Sequence, residues 1–313
     1  MFKIDQNNPA SLTMVGGPVS SGGEFPTSVA FSTAKNMTCV ANSGAINGVQ
    51  CFKPDEKLGL VAMPNTNRSL MLPQTTPPTG PPGTVSDILF SEDSKKLLVS
   101  VKGVPPTPGF VASWDVADDG SLSANFTASP PAQGGLLPFS MSIIPGKNAV
   151  LATDAGIGFS TFDLSTLGAE GTAKSQVFPI ESQGATCWSS FSQKTGSFFL
   201  TDIRTDIVTE VAIADDLSGN VIKQYPLVPG SATIDNAIAA LPNNDFLYVL
   251  SANTTSIDVL ALNGQGQATK VQAFNFGNEG GIKVSPNRLQ GMAVFVKSSV
   301  KSSQVKRVVR ERD

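Results

Sequence analysis

The chain reads as an all-β protein, a β-propeller assembled from four-stranded units, on three observations. A short apolar run ending in a polar residue, a polar turn and a second apolar run recur five times. The recurrences are spaced by roughly 40 to 50 residues, each with room for four strands, which is the period of propeller blades. Its 29 Gly and 22 Pro fall between short apolar runs, which predicts many turns and no long helices. A pair of β-sandwiches is the competing architecture; five units that keep their register argue against it.

The clearest copy is Thr186-Cys187-Trp188-Ser189-Ser190-Phe191-Ser192, followed by Gly196-Ser197-Phe198-Phe199-Leu200-Thr201-Asp202. Taken from the start, Met1 to Asp5 alternates like a strand, a Gln-Asn-Asn-Pro turn follows, and Leu12-Thr13-Met14-Val15 is a second strand. This predicts half a unit. The first full unit begins near Ser28 and runs through Cys39-Val40-Ala41-Asn42 and Val49-Gln50-Cys51-Phe52 to Leu60-Val61-Ala62-Met63. The Pro- and Gly-rich segment 73–83 is too short for an interdomain linker and predicts an exposed loop. The second unit begins near Val85, has 110–116 as its third strand, and opens its fourth at Leu122-Ser123-Ala124.

The third unit begins near Phe139 and continues through 159–163 to 175–178; the fourth begins at Cys187, with 208–212 and 221–225 after it. The fifth begins at Asp235, with 256–260 and 269–274, and a lone strand at 290–295 matches the first strand of another unit. Asp and Gly before the fourth strands suit tight hairpins. One propeller domain is thus expected over 1–297. The segment 298–313, with Lys301, Lys306, Arg307, Arg310 and Arg312, reads as a basic, disordered tail; gripping an acidic partner is its other reading.

Five segments carry a resemblance. They are Val19 to Pro26, Ser100 to Phe110, Pro138-Phe139-Ser140-Met141 with Ile144 to Asn148, Gln183 to Phe191, and Ser231 to Asn236. Together they resemble the fungal 3-carboxymuconate cyclase-like proteins, within the seven-bladed lactonase propellers. The resemblance implies a ring with its first part absent, incomplete at the N-terminus, with five full blades and partial ones. It also implies a secreted or cell-wall protein, monomeric when full-length, with a secretion signal upstream of Met1 that this chain lacks.

In a propeller, the loops leading into first strands and those joining second to third strands share one face around the central channel, where ligands bind. That face is expected to collect Glu24, Asn42, Lys102, Asp154, Asp202, Arg204, Asp235, Asn236, Asn253 and Gln290. Of these Glu24, Lys102, Asp154, Asp202, Arg204, Asp235 and Asn236 are the ligand-binding candidates. Arg204 can hold a carboxylate through paired hydrogen bonds, and Asp202 or Asp235 can move a proton. The alternative is that these groups cap strand ends and bond exposed backbone.

The absence of His excludes a Ser-His-Asp triad and the usual His-containing zinc sites. The family's lactonising enzymes use a His with a Glu and Arg residues, so that set does not carry over. No metal and no cofactor are expected. The catalytic residues are unassigned, and ligand binding is expected in place of retained lactonising chemistry. A lactonase or lactonising isomerase of the 3-carboxy-cis,cis-muconate cyclase type is the alternative. The expected partner is a small polycarboxylate, a lactone, or a host or cell-wall component. A net charge of −3 gives no reason to expect nucleic acid, and no apolar run is long enough to span a membrane.

Cys39 and Cys51 lie on neighbouring strands, near-symmetric about Ala45, and face each other at about 4.5 to 5.5 Å between Cα atoms. They form a disulfide if the protein is secreted, or are two small buried hydrophobes. Cys187 has no His to activate it and reads as a packing residue. Asn36, Asn67, Asn125 and Asn253 each begin an Asn-X-Ser/Thr sequon and are glycosylation candidates in a secreted form.

Overall fold

In a computed structural model, which describes residues 1–167, 171–277 and 284–297, strand after strand pairs with its sequence neighbour. β1 (Phe2–Ile4) and β2 (Leu12–Met14) form a hairpin, as the alternation at the start of the chain predicts. The first full blade holds β3 (Pro26–Ser32), β4 (Met37–Asn42), β5 (Gly48–Asp55) and β6 (Gly59–Ala62), with the short β7 (Arg68–Ser69) on the free end of β5. The second holds β8 (Val85–Phe90), β9 (Lys96–Val101), β10 (Phe110–Asp115) and β11 (Thr127–Ser129).

The third blade is β12 (Pro138–Ile144), β13 (Ala149–Asp154), β14 (Gly158–Asp163) and β15 (Lys174–Pro179). The fourth is β16 (Thr186–Ser192), β17 (Ser197–Asp202), β18 (Ile207–Ile213) and β19 (Gly219–Pro226). The fifth is β20 (Thr233–Ala240), β21 (Asp245–Ser251), β22 (Ser256–Leu262) and β23 (Ala268–Asn275). The first strands β3, β8, β12, β16 and β20 each touch the next in turn, so they form the inner wall of a ring.

Alternation along the second strands explains why the blades stack. On β9, Leu97 and Val99 face the first blade while Leu98 faces the third; on β17, Phe198 and Leu200 face the third blade while Phe199 faces the fifth. A strand presents successive side chains to opposite faces, so a continuous apolar run buries both sides at once. Four apolar clusters result, one between each pair of consecutive blades. Phe191 packs into the third of them, against Phe198 at 4.7 Å between ring centroids. Among the described residues nothing covers the other side of the first blade in this way, and Val29 and Phe31 on β3 are 64% and 55% exposed.

Two sequence expectations need correction. The fourth strand of the second blade is Thr127–Ser129, downstream of the expected 122–124. Leu122 makes only an isolated bridge to Val116, and its amide bonds Asn65 O, so its burial reflects a crossing turn. The segment 290–295 is not a strand of any described sheet. It does occupy a first-strand position: Met292 N–H donates to Asp235 on β20, as Met141 N–H on β12 donates to Asp87 on β8. The tail 298–313 lies outside the described residues.

Cys39 and Cys51 are register partners on β4 and β5 and form a disulfide, with Cα atoms 4.0 Å apart, closer than the spacing expected from the sequence. All four sequon asparagines are exposed; Asn67 and Asn253 donate their amides to Gly22 O and Gly230 O.

Candidate functional site

Each of the five inner strands carries a β-bulge near its start, between Pro26 and Ser28, Val85 and Ile88, Pro138 and Met141, Thr186 and Ser189, and Thr233 and Asp235. A bulge inserts a residue that the ladder does not pair and re-aims its side chain. Counting from the last paired residue before each bulge, the next positions are Thr27, Ser86, Phe139, Cys187 and Ile234. All five line one cavity of about 970 Å³ at the mouth of the ring. Gln290, two residues before Met292, takes the corresponding place in the last inner segment and lines the same cavity.

The bulges free backbone groups, and buried hydroxyls on the second strands collect them. Ser100 accepts Asp87 N–H at 3.1 Å and donates to Phe139 O in the next blade. Thr153 accepts Ser140 N–H at 3.0 Å and donates to Cys187 O, and Thr201 reaches Ile234 O at 3.4 Å. One hydroxyl thus ties the bulge of its own blade to the bulge of the next. An unpaired buried amide or carbonyl costs about 1–3 kcal/mol, so these side chains set the shape of the floor.

The cavity walls are apolar and aromatic. Trp188 stands on the wall with Phe139 edge-on at 5.3 Å, and Pro81, Pro82, Leu137 and Ile203 complete the rim. The loop 73–83 is largely exposed, as its composition predicts, and supplies the two prolines. Lys102 and Arg204 are the charged residues in the lining, which contains no carboxylate.

Lys102 follows β9 directly and is 5% exposed. Its ammonium donates to Ser86 Oγ and lies 4.7 Å from the centroid of the Phe139 ring. Burial pulls the amine down to about 8, against a weak opposing pull from Cys187. Arg204 is exposed on the rim, and its guanidinium makes no hydrogen bond or ion pair among the described residues. Cys187 donates its thiol to Ala185 O at 3.2 Å, and burial pushes it up to about 11.

No protein-family model matches the chain, and neither does any curated protein. Among solved structures, it is similar to the periplasmic gluconolactonase PpgL of Pseudomonas aeruginosa, with a TM-score of 0.64 and 17% identity over 88% of this chain and 78% of that one. A 6-phosphogluconolactonase-type structure from Bacteroides fragilis gives 0.66 and 16% identity over 91% and 80%. A protein of Lactobacillus plantarum gives 0.63 and 16% identity over 88% and 77%. The fold is a lactonase-type β-propeller.

Within this propeller the sequence-predicted residues divide into two groups. Lys102 and Arg204 reach the mouth cavity, with Gln290. Asp202 does not line it. Its carboxylate accepts the amides of Gly184, Ala185, Arg204 and Thr205, fastening the loop that carries Arg204 to the end of β17. Asp154 holds Leu136, Leu137 and Gly156 amides in the same way one blade earlier. Glu24 accepts the Thr76 hydroxyl, and Asn42 bonds Ser21. Asn236 is buried between Ser190 and Trp188 O, and Asn253, in the turn between β21 and β22, donates its amide to Gly230 O and does not line the cavity.

Asp235 is buried one position deeper than the cavity floor and accepts Asn236 and Met292 amides. Its counterpart Asp87 escaped the sequence reading, as did Ser86. Both lie inside an apolar strand, where the only signal is a polar pair, Ser86-Asp87, interrupting the run at the same offset as Asp235. Among the described residues no group of three or more metal-ligating side chains gathers.

Proposed function

We propose that the mouth cavity binds a small carboxylate-bearing ligand of the lactone and hydroxy-acid class. The observation that carries this is the charge of the lining: Lys102 and Arg204 with no acidic side chain, on apolar walls. A cavity of about 970 Å³ suits a small organic anion. Arg204 is the rim group that takes the carboxylate through its fork of N–H donors, and Lys102 attracts it from the floor. Trp188 and Phe139 supply apolar ring surface for the carbon skeleton.

The lactonase names of the similar structures support this ligand class. The resemblance to 3-carboxymuconate cyclase-like proteins supports a polycarboxylate such as 3-carboxymuconate, in a secreted or cell-wall glycoprotein that acts as a monomer. A catalytic reading, lactonase or lactonising isomerase, has one specific observation in its favour: the contact between Lys102 and Ser86.

Calorimetric titration with 3-carboxymuconate, gluconate and gluconolactone tests the proposal. Binding of at least one carboxylate is expected, weakened about tenfold in Arg204→Ala, as loss of one charge-assisted contact requires. No heat from any member of the panel, or unchanged affinity in Arg204→Ala, would overturn it.

A further inference from the structure

We propose that Ser86 and Lys102 act as nucleophile and base in opening lactones and esters at the floor of the mouth cavity. This rests on the reading that the cavity admits lactone-class ligands. With no His in the sequence, a serine can be activated only by another base held against its hydroxyl, and an amine can serve.

Four observations carry it. The bulge of β8 turns Ser86 into the cavity, and Lys102 joins the lining from the end of β9, its Nζ bonded to Ser86 Oγ. Ser86 Oγ is the only hydrogen-bond partner of Nζ among the described residues, where Lys102 has no ion pair. A buried ammonium without a counter-charge is costly and calls for a reason other than stability. Burial lowers the amine to about 8, so a large neutral fraction exists at mildly alkaline pH. The pairing also belongs to one blade alone. The neighbouring equivalents of Lys102 in the cavity are Ala155 and Ile203, and the floor positions matching Ser86 are Thr27, Phe139, Cys187, Ile234 and Gln290. Cys187 is the rival nucleophile, but burial holds it protonated and its thiol is turned to Ala185 O.

The chemistry balances without a co-reactant other than water. The neutral amine of Lys102 takes the Ser86 hydroxyl proton as Oγ attacks the lactone carbonyl. The ring C–O bond breaks, and the departing alkoxide receives that proton from the ammonium, leaving a hydroxyacyl ester on Ser86. Water then gives its proton to the amine, adds to the ester carbonyl, and releases the hydroxy acid; Oγ recovers the proton.

A fluorophosphonate probe applied to the full chain, with peptide mapping, tests the pair without any variant: phosphonylation of Ser86, faster as pH rises through about 8, is expected. Titration of the acid released from gluconolactone and from p-nitrophenyl acetate should show the same pH profile. Ser86→Ala and Lys102→Met should each lower it by ~100-fold or more, the range of a lost acid–base group, while keeping a cooperative thermal transition. No labelling, labelling elsewhere, or full hydrolysis in Ser86→Ala overturns the pair. If carboxylates bind while neither probe reacts, the pair fails and the binding proposal stands. If Ser86 is labelled and the ester is cleaved while no carboxylate binds, the pair stands and the binding proposal fails.

Discussion

Asp87 and Asp235 perform the same task three blades apart. Each accepts the amide of a methionine in the following inner segment, Met141 at 2.8 Å and Met292 at 2.6 Å. Asp87 also accepts the Ser28 hydroxyl at 2.8 Å from the preceding blade, so it links three blades. Both carboxyls are buried, and the charge of Asp87 adds to the upward push on Asp235.

These carboxyls predict an unusual pH dependence. Burial pushes each up to about 6, against the amides that favour the ionised form; the charge of Asp87 raises Asp235 further. The unfolded chain titrates such groups near 4, so between about pH 4 and 6 the folded protein holds more protons. Stability contributed by the protonated carboxyls is complete below about pH 4 and is lost as pH rises through about 6, on the order of 3 kcal/mol for each. Urea unfolding from pH 4 to 8 should show this decline, and Asp87→Asn should remove about half of the slope. An unchanged slope in the variant would count against the assignment.

Thr153→Val keeps the shape of the side chain and removes its hydroxyl. It leaves Ser140 N–H and Cys187 O without that partner inside the ring. A loss of about 2–3 kcal/mol by urea titration is expected. A ΔΔG within about 0.5 kcal/mol, the usual spread for surface changes, would mean that the bulges do not need the latch.

The bond between Cys39 and Cys51 closes a loop over 12 residues of sequence separation, which restricts the unfolded chain. Reduction, or the paired change Cys39→Ser and Cys51→Ser, should lower stability by about 3 kcal/mol. Comparison of urea midpoints with and without dithiothreitol measures it, and equal midpoints would refute it.

Fluorescence separates wall from core. The chain has two tryptophans: Trp114 is fully buried between the first two blades, and Trp188 lines the cavity. A ligand that enters the mouth should alter emission from Trp188 alone. Trp188→Phe should therefore abolish the ligand response and leave the blue-shifted core signal, whereas a response that survives would place the ligand elsewhere.

Most of the architecture was readable because blade strands are buried on both faces and appear as apolar runs bounded by polar turns. The one misplaced blade strand, Thr127–Ser129, is short and half polar, while Leu122 upstream looks like a strand and is a turn residue packed under its neighbour. The mouth was readable where charge sits at a strand end, as with Lys102 and Arg204. Asp154 and Asp202 looked the same in sequence, and only the loop geometry shows their oxygens occupied by backbone amides. Ser86 and Asp87 were hidden for another reason. Alternation assigns faces on a period of two, and a bulge shifts that period by one without leaving a mark in the sequence.

The repeated bulge also partitions the molecule. Six side chains, one from each successive inner segment, form the floor, and none of them belongs to a ladder that holds a blade together. Exchanging them alters what the mouth recognises while the pairing of every strand stays as it was. The ring behaves as a socket with interchangeable contacts: Thr27, Ser86, Phe139 or Ile234 can be rewritten one blade at a time, and a library confined to these positions would sample chemistry without sampling misfolding.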